Sequence, residues 1–286
     1  MKQIAIISGK GGTGKTTIAA ALAGLAMSKV IVDCDVDAAD LYLILKPKIS
    51  EKHEFKASKV ALIDKEKCTE CRKCLEVCRF TAISKNFEID PTSCEGCGIC
   101  YRVCPAGAII FKEKISGQYF ISETRFGAMV HARLGIAEEN SGKLVSLVRK
   151  EARRVAQENK LDHILIDGPP GIGCPVIASL TGVNLALVVT EPTLSGIHDL
   201  ERVLDLTQHF KIKTLVCINK FDVNLDNVRK IEKTCSKDSI KIVGRIPYDL
   251  QVNKAMRAEK TVIEYNSQSD VAREISSIWD GIKSEI

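Results

Sequence analysis

Short apolar runs alternate with helical patterns along most of the chain. Gln3–Ser8 and Val30–Asp33 are strand candidates, and the Ala-rich segment Lys15–Met27 between them predicts a helix. A second helix is predicted over Ser141–Asn159. Alternation of this kind predicts an α/β fold, a doubly wound and mostly parallel sheet. The further apolar runs suited to buried parallel strands are His163–Asp167, Leu185–Thr190, Thr214–Asn219 and Lys241–Ile246.

A cysteine-rich segment interrupts this alternation and repeats itself. Eight of the twelve cysteines lie between Cys68 and Cys104, and the pattern around Cys68 recurs around Cys94, an offset of 26 residues (94 minus 68). Two copies of so short a period indicate a small module with two-fold pseudosymmetry. The sequence therefore predicts a small α+β module over residues 62–114, inserted into an α/β domain made of residues 1–61 and 115–286.

Composition and charge narrow the class of protein. The chain has 286 residues, of which 45% are hydrophobic and 27% charged, as in ordinary globular proteins. A formal net charge of +5 is mild, and no apolar run approaches the roughly 20 residues of a membrane span. The N-terminus enters a strand pattern without a signal-peptide region. We therefore predict a cytoplasmic protein with no nucleic-acid and no membrane partner, in which cysteines bind metal more readily than they form disulfides.

The C-terminal segment has an amphipathic helical pattern with an acidic polar face. A membrane-binding helix is expected to be basic on that face, so docking onto the protein core is the better interpretation. The apolar positions are Val271, Ile275, Ile278, Trp279 and Ile282, and the acidic ones are Asp270, Glu274, Asp280 and Glu285.

The segment between the first predicted strand and the first predicted helix carries nucleotide chemistry. Residues 9–16 satisfy the pattern G-x4-G-K-T in the strand–loop–helix context that a phosphate-binding P-loop requires. Glycines let backbone N–H groups curl around phosphate oxygens, and the helix N-terminus favours negative charge. Lys15 is expected to reach the β- and γ-phosphates, and the Thr16 hydroxyl to bind Mg²⁺. The predicted nucleotide-binding residues of this loop are Gly9, Gly11, Gly12, Thr13, Gly14, Lys15, Thr16 and Thr17.

The two copies of the cysteine repeat have the spacing of bacterial ferredoxin runs, C-x2-C-x2-C-x3-C. Three thiolates two residues apart can wrap one cubane cluster, whereas the fourth diverges and binds the other cluster. Zinc, which prefers paired C-x2-C motifs, and disulfides both fit the doubled run badly. Arg79 replaces the proline usual after the fourth cysteine, which affects the local turn but no ligand. We predict two [4Fe–4S] clusters, the first held by Cys68, Cys71, Cys74 and Cys104 and the second by Cys94, Cys97, Cys100 and Cys78.

The phosphate loop in full, Lys10-Gly-Gly-Thr-Gly-Lys15-Thr-Thr17, resembles the deviant Walker A motif of the MinD/ParA superfamily and the nitrogenase iron protein. The resemblance implies an ATP-dependent homodimer in which Lys10 reaches the nucleotide of the other subunit. Val32-Asp33-Cys34-Asp35 looks like the family's acidic strand end, which implies that Asp35 lies near the γ-phosphate and the attacking water. The implied catalytic residues are Lys10, Lys15 and Asp35.

Two later strand ends extend this resemblance. The segment from Asp167 to Gly171 looks like the Walker B and switch II region, which implies that Asp167 holds Mg²⁺ through water and that Gly171 senses the γ-phosphate. Asn219-Lys220-Phe221-Asp222 looks like the base-contacting segment, with Asn219 facing adenine. The Asn-Lys-x-Asp string alone would suggest guanine, and ATP is preferred because the deviant lysine accompanies adenine in most relatives. The implied cofactors are ATP and Mg²⁺.

Four cysteines lie outside the repeat. Cys174 follows the switch segment, where related reductases place a ligand of a cluster shared between subunits, but no second cysteine stands at a matching upstream position. Its favoured interpretation is a small buried hydrophobe. Cys34, Cys217 and Cys235 are predicted to be packing residues.

Taken together, the chain resembles MinD-superfamily ATPases that contain an inserted ferredoxin domain, and three functions remain open. The chain could be an ATP-gated electron carrier, an ATPase of iron–sulfur or metal-centre assembly, or a MinD/ParA-like positioning protein with clusters as structure or sensor. Fully ligated clusters favour the first over the second, and the acidic C-terminal helix weakens the third. The implied protein partner is an unidentified redox or assembly protein.

Overall fold

The computed structural model describes residues 1–135, 138 and 140–286, which divide into two compact units. The first unit comprises Met1–His53, Tyr119–Arg133 and Ser141–Ile286, and the second comprises Glu54–Gln118 and Leu134–Asn140. None of the helices in the described part of the chain has both the length and the apolarity needed to cross a membrane.

Nine strands are found in the described residues, and they form one sheet. In chain order the strands are β1 (Lys2–Ser8), β2 (Lys29–Asp33), β3 (Lys48–Ile63), β4 (Ile109–Thr124), β5 (Gly127–Leu134), β6 (His163–Pro170), β7 (Leu185–Thr190), β8 (Lys213–Asn219) and β9 (Lys241–Ile246). Their order across the sheet is β3-β4-β5-β2-β6-β1-β7-β8-β9, and only residues 48–53 of β3 and 119–124 of β4 belong to the first unit.

The strand pairs from β5 across to β9 are all parallel. The predicted α/β fold with a mostly parallel sheet is therefore confirmed. Parallel strands need crossover connections, which helices supply. The helices are α1 (Lys15–Leu25), α2 (Leu41–Leu45), α3 (Lys73–Val77), α4 (Ile99–Val103), α5 (Ser141–Glu158), α6 (Cys174–Leu180), α7 (Leu194–His209), α8 (Leu225–Lys237), α9 (Leu250–Arg257), α10 (Val262–Tyr265) and α11 (Asp270–Lys283), with a 3₁₀ turn over Phe221–Val223.

Three strands were not predicted from the sequence. β3 reads KISEKHEFKASKVALI, and its side chains are largely exposed or half-buried, so the strand lacks the continuous apolar run of a buried parallel strand. β4 has a similarly mixed pattern. β5, by contrast, buries Met129–Ala132 beside β2, but these few residues stand among polar neighbours in the sequence.

The C-terminal helix α11 packs on the core of the first unit, as its pattern predicts. Ile278 and Ile282 are fully buried, and they belong to the same apolar cluster as Leu22 of α1 and Leu187 of β7. The close approach of α11 to β9 depends on Gly244, because a Cβ at that position would meet the side chain of Ile278. Asp270 and Asp280 of α11 are exposed, whereas Glu274 is half-buried and accepts from the backbone N–H of Arg245 in β9 at 2.7 Å.

The second unit repeats its backbone conformation at the same offset as its sequence. Left-handed residues (φ between 52° and 81°) occur in pairs 26 positions apart, and in each pair the second copy has glycine: Glu70 and Gly96, Arg72 and Gly98, Thr81 and Gly107. α3 begins directly after Arg72 in the first copy, and α4 begins directly after the matching Gly98 in the second. A small core lies between the copies, formed by Ala61, Cys74, Ile83, Phe87 and Ile109.

Gly96→Ala is expected to destabilise the second unit by about 2 kcal/mol or more. The glycine has φ 64°, and a Cβ there would collide with the backbone oxygen of Lys59 in β3, which cannot rotate away. Gly107→Ala is the matched control, since its φ of 59° is similar but its Cβ position is open. Urea unfolding of both variants measures the difference, and equal loss of stability would contradict the predicted collision.

Candidate functional site

The phosphate loop lies at the carboxyl end of β1. It leaves the strand after Ser8 and enters α1 at Lys15, with Gly12 (φ 80°) and Gly14 (φ 88°) in the left-handed region. Gly14 is the N-cap of α1, and no side chain caps that helix. The first amides of α1 are therefore available to an anion.

A cleft of ≈ 440 Å³ opens above this loop, within the size range of small-molecule sites. Its far wall is apolar, with Val252, Met256 and Ile275. The predicted residues that line the cleft are Gly11, Gly12, Thr13, Gly14, Lys15, Thr16, Thr17, Asp35, Asn219 and Lys220. Tyr248 and Asp249, in the loop between β9 and α9, also line it. Four predicted residues do not line it, namely Gly9, Lys10, Asp167 and Gly171.

Two of these four residues, Gly9 and Gly171, lie close to the end of β1 but outside the cleft. Gly9 lies against α7, where a Cβ would stand 2.5 Å from the Cβ of Asp199. Gly171 (φ 90°) follows β6 and donates its backbone N–H to the oxygen of Ser8 at 2.9 Å. Both positions therefore depend on a residue without a side chain, Gly9 for space and Gly171 for its backbone conformation.

Lys15 forms a buried ion pair with Asp167. Its Nζ lies 2.8 Å from Asp167 Oδ1, and the two side chains are 6% and 1% exposed. Asp33 stands opposite Asp167 in the register of β2 and β6, so a second carboxylate adjoins the pair. Burial lowers the pKa of Lys15, but the charge of Asp167 outweighs that effect, and the pKa of Lys15 lies above its ordinary value. Lys15 is therefore charged, and it holds Asp167 in place.

Three carboxyl groups, those of Asp33, Asp35 and Asp167, adjoin one lysine at this site. Burial and the nearby charge of Asp167 raise the pKa of Asp33 well above its usual range. Burial also raises the pKa of Asp35, and Lys15 only partly offsets this. Within the described residues, three buried oxygens of this region have no hydrogen-bond partner: Thr13 Oγ1, Asp33 Oδ2 and Asp167 Oδ2. Buried oxygens of this kind call for a cation, a donor or ordered water.

Lys10 does not line the cleft, and its side chain is held by residues that follow β7. Its Nζ lies 2.7 Å from Glu191 Oε1 and donates to Ser195 Oγ at 2.9 Å and to Thr193 Oγ1 at 3.2 Å. The other oxygen of Glu191 binds Lys220 Nζ at 3.0 Å. Burial raises the pKa of Glu191, but the hydrogen bonds from Lys10 and Lys220 outweigh it and hold that pKa below its ordinary value.

Asn219 and Lys220, which were predicted to contact the base, are hydrogen-bonded to the phosphate loop. Asn219 Nδ2 donates to the backbone oxygen of Thr13 at 2.7 Å, and Lys220 Nζ donates to that of Gly12 at 3.1 Å. Sequence reasoning did not identify Glu191 as a contact of these lysines. The available signal was its place directly after β7, because β7 is the neighbour of β1 and its carboxyl end must lie beside the P-loop.

The eight cysteines of the repeat line two small cavities of the second unit. One cavity is lined by Cys68, Cys71, Cys74 and Cys104, together with apolar residues that include Phe87 and Ile109. The other is lined by Cys78, Cys94, Cys97 and Cys100, with Ile83 and Phe111 among its apolar residues. Each cavity thus receives three cysteines from one copy of the repeat and one from the other. In the described chain no three His, Cys, Asp or Glu side chains are gathered closely enough for a single metal ion.

The four remaining cysteines divide into two kinds. Cys34, Cys217 and Cys235 are buried, which confirms their prediction as packing residues. The prediction that Cys174 is buried is wrong, because it begins α6 and is exposed. Cys174 lies in the first turn of α6. The sequence pattern did not show where this helix begins, and so did not show that Cys174 is exposed.

This fold, with its phosphate loop between β1 and α1, defines a P-loop nucleotide-binding protein. The family model described as CobQ/CobB/MinD/ParA nucleotide binding domain matches residues 4–262, and the chain belongs to that family. It is 34% identical over 98% of its length to uncharacterized protein MJ0578 of Methanocaldococcus jannaschii, of which it covers 96%.

Two further comparisons concern proteins with more specific names. The chain is 24% identical to an iron-sulfur cluster carrier protein of Pyrococcus horikoshii, over 88% of this chain and 76% of that protein. The solved structure of the cell division ATPase MinD of Pyrococcus furiosus has the same fold, with a TM-score of 0.62 and 19% identity, over 99% of this chain and 98% of that one.

Proposed function

We propose that this chain is a Mg²⁺-dependent ATPase that carries two [4Fe–4S] clusters and couples nucleotide-dependent changes of a homodimer to electron transfer. The observation that carries the proposal is the sorting of eight cysteines into two four-cysteine cavities, in the same chain as a phosphate-binding loop. The clusters belong to an inserted ferredoxin domain, which the cysteine spacing bounds at residues 62–114.

ATP is bound with its phosphates at the N-terminus of α1 and its base between Asn219 and the loop that contains Tyr248. Three features support this arrangement: the uncapped helix end, the left-handed Gly12 and Gly14, and the single cleft that joins the phosphate loop to Asn219. Lys15 neutralises the β- and γ-phosphates, and Asp35, which lines the same cleft, orients the attacking water.

Mg²⁺ fits the donor set of this site. The cation usually keeps several waters and takes only one or two carboxylates plus phosphate oxygens. The Thr16 hydroxyl lines the cleft, and the unpartnered Oδ2 of Asp167 can accept from a metal-bound water. A divalent cation would stabilise the charged forms of the Asp35 and Asp167 carboxyl groups, which one lysine serves here. When bound, Mg²⁺ supplies charge neutralisation of the phosphates.

Lys10 is the deviant Walker A lysine of the proposed dimer. Its ion pair with Glu191 supports a role outside its own cleft, because neither Lys10 nor Glu191 lines that cleft. In the dimer Lys10 contacts the nucleotide of the other subunit. Hydrolysis removes that contact and changes the dimer, as nucleotide switches do when the γ-phosphate is lost.

Lys10→Ala is expected to reduce ATP-dependent dimerisation and hydrolysis at least tenfold while ATP binding to the monomer changes little. A charge that acts only across the dimer contributes nothing to monomer affinity. Light scattering with a non-hydrolysable analogue, together with the dependence of the ATPase rate on protein concentration, measures both effects. Lys52→Ala, an exposed lysine on β3, is the control. An unchanged dimer in Lys10→Ala would exclude the role of this lysine in trans.

The cysteine cavities fit iron–sulfur clusters better than zinc. A zinc ion holds its thiolate sulfurs at about 2.3 Å, which brings them within about 4 Å of one another. The described cysteines form no such single-ion group, whereas a cubane spaces its four ligands further apart. Apolar residues line part of both cavities. When bound, the clusters supply one-electron transfer at potentials set by charge, hydrogen bonds and exposure.

A second function, delivery or assembly of iron–sulfur centres, is favoured by one specific observation. The similarity to an iron-sulfur cluster carrier protein covers most of this chain. Positioning of the MinD kind receives less support, since α11 buries its apolar face on the core. Both alternatives share the nucleotide site and differ in what the cysteines do.

Anaerobic purification followed by iron, sulfide and zinc analysis, with EPR of the dithionite-reduced protein, tests the proposal. We expect iron and acid-labile sulfide in equal amounts, EPR signals of two interacting reduced [4Fe–4S] clusters, and Mg²⁺-dependent ATP hydrolysis by the same preparation. Stoichiometric zinc without sulfide, or hydrolysis that is indifferent to Mg²⁺, would contradict it.

A further inference from the structure

The two cysteine loops of the second unit have the same backbone built from different residues. The loop from Cys68 to Cys74 holds Glu70 and Arg72 in the left-handed region, with φ 53° and 62°. The loop from Cys94 to Cys100 holds Gly96 and Gly98 there, with φ 64° and 81°. The required conformation is therefore common to both loops, but only the second has residues that adopt it without cost.

The left-handed conformation therefore raises the free energy of the first loop but not that of the second. A Cβ disfavours the left-handed conformation by a factor of roughly ten in population per residue, and glycine carries no such penalty. Two residues of this kind bias the first loop against its observed conformation by about a hundredfold relative to the second.

Packing adds to this difference. Gly96 and Gly98 are half-buried, and Gly96 is so close to the backbone of Lys59 that no side chain fits. Glu70 and Arg72 are exposed. The second loop is thus held by its neighbours, whereas the left-handed residues of the first loop stand in solvent.

We infer that the two cluster sites are unequal, and that the site of Cys68, Cys71, Cys74 and Cys104 releases its [4Fe–4S] cluster more readily than the other. The inference rests on the proposed function, because it concerns clusters that the cysteines are proposed to bind. Glu70 and Arg72 adopt the left-handed conformation, and iron–thiolate bonds, when present, would restrain the first loop there. Loss of those bonds would leave Glu70 and Arg72 free to relax to negative φ, which would oppose rebinding.

The first site is accordingly suited to giving a cluster to an acceptor protein that presents cysteine thiolates, while the second retains its cluster. In such a transfer each iron–thiolate bond to this chain is exchanged for one to the acceptor, and no electron changes hands. Electron transfer and delivery would then belong to different sites of one module.

The test is anaerobic chelation of the intact protein with an iron chelator, followed by alkylation of exposed thiols and mass spectrometry at successive times. We expect two kinetic phases of iron loss. Cys68, Cys71 and Cys74 become alkylated in the fast phase, and Cys94, Cys97 and Cys100 in a phase at least tenfold slower.

Exchange of residues between the copies makes the test specific to the backbone. Glu70→Gly/Arg72→Gly is expected to slow the fast phase about tenfold or more, towards the rate of the second site. Gly98→Arg, where a Cβ would approach only the Phe111 ring at 3.8 Å, is expected to speed release from the second site. Thr69→Gly, next to Glu70 but not at positive φ, is the control and is not expected to slow release.

Simultaneous loss of both clusters, earlier loss from the second site, or equal rates in Glu70→Gly/Arg72→Gly and the native chain would overturn the inference while leaving the proposed function intact. A protein that binds no iron or sulfide at all would overturn both. The two failures are therefore told apart by the iron content before chelation.

Discussion

Lys15→Met is expected to lower kcat for ATP hydrolysis by about 10²–10³-fold, the typical effect of removing one preorganised donor to transition-state charge. It is also expected to lower the free energy of unfolding of the nucleotide-free protein by about 3–5 kcal/mol. The reason is the buried pair with Asp167, which would be left as an uncompensated charge beside Asp33. Steady-state hydrolysis and urea unfolding measure the two effects.

A double variant separates the two consequences of losing Lys15. Lys15→Met/Asp167→Asn removes both charges, so it is expected to recover most of the stability and none of the activity. Lys29→Met is the matched control, since Lys29 is also buried but does not line the cleft. Wild-type kcat in Lys15→Met would contradict the assignment of this lysine to the phosphates.

Cys104→Ser is expected to halve the iron and sulfide content and to expose thiols that are distant in sequence. Cys104 lines the same cavity as Cys68, Cys71 and Cys74, so its loss would remove a ligand from the cluster proposed there. In the native, folded protein, alkylation is therefore expected at those three residues and not at Cys100, although Cys100 belongs to the same copy of the repeat as Cys104. Iron analysis and mass spectrometry of alkylated peptides measure the result.

Cys78→Ser is the reciprocal experiment. It should halve the iron content as well but expose Cys94, Cys97 and Cys100, whose cavity Cys78 lines. Cys174→Ser, an exposed cysteine outside both cavities, is the control and should keep the full iron content. The crossed arrangement would be contradicted if Cys78→Ser exposed the other three cysteines of the first copy, or if Cys104→Ser exposed the other three of the second.

The sequence predicted the parts of the molecule that local chemistry determines. The strand–loop–helix around Lys15 follows from its glycines, and the parallel strands from their apolar runs. Glu191 was missed, because its contact with Lys10 depends on β7 lying beside β1, which no local pattern encodes.

Other features depend on packing that a single sequence does not reveal. β3 was missed because its exposed, mixed side chains lack a single periodicity, and Cys174 was misjudged because exposure depends on where α6 begins. The left-handed Glu70, Arg72 and Thr81 could have been inferred from the glycines at the matching positions of the second copy. A repeat therefore carries conformational information that neither copy shows alone.

The coupling of nucleotide to clusters is tested most directly by EPR-monitored redox titration of the anaerobic protein, with and without a non-hydrolysable ATP analogue and Mg²⁺. We expect a nucleotide-dependent change in cluster potential or spectrum, and a shift of about 60 mV would equal a tenfold change in the one-electron equilibrium. Lys15→Met should abolish the change. Identical potentials and spectra with and without nucleotide, in a protein that hydrolyses ATP, would contradict nucleotide-gated electron transfer.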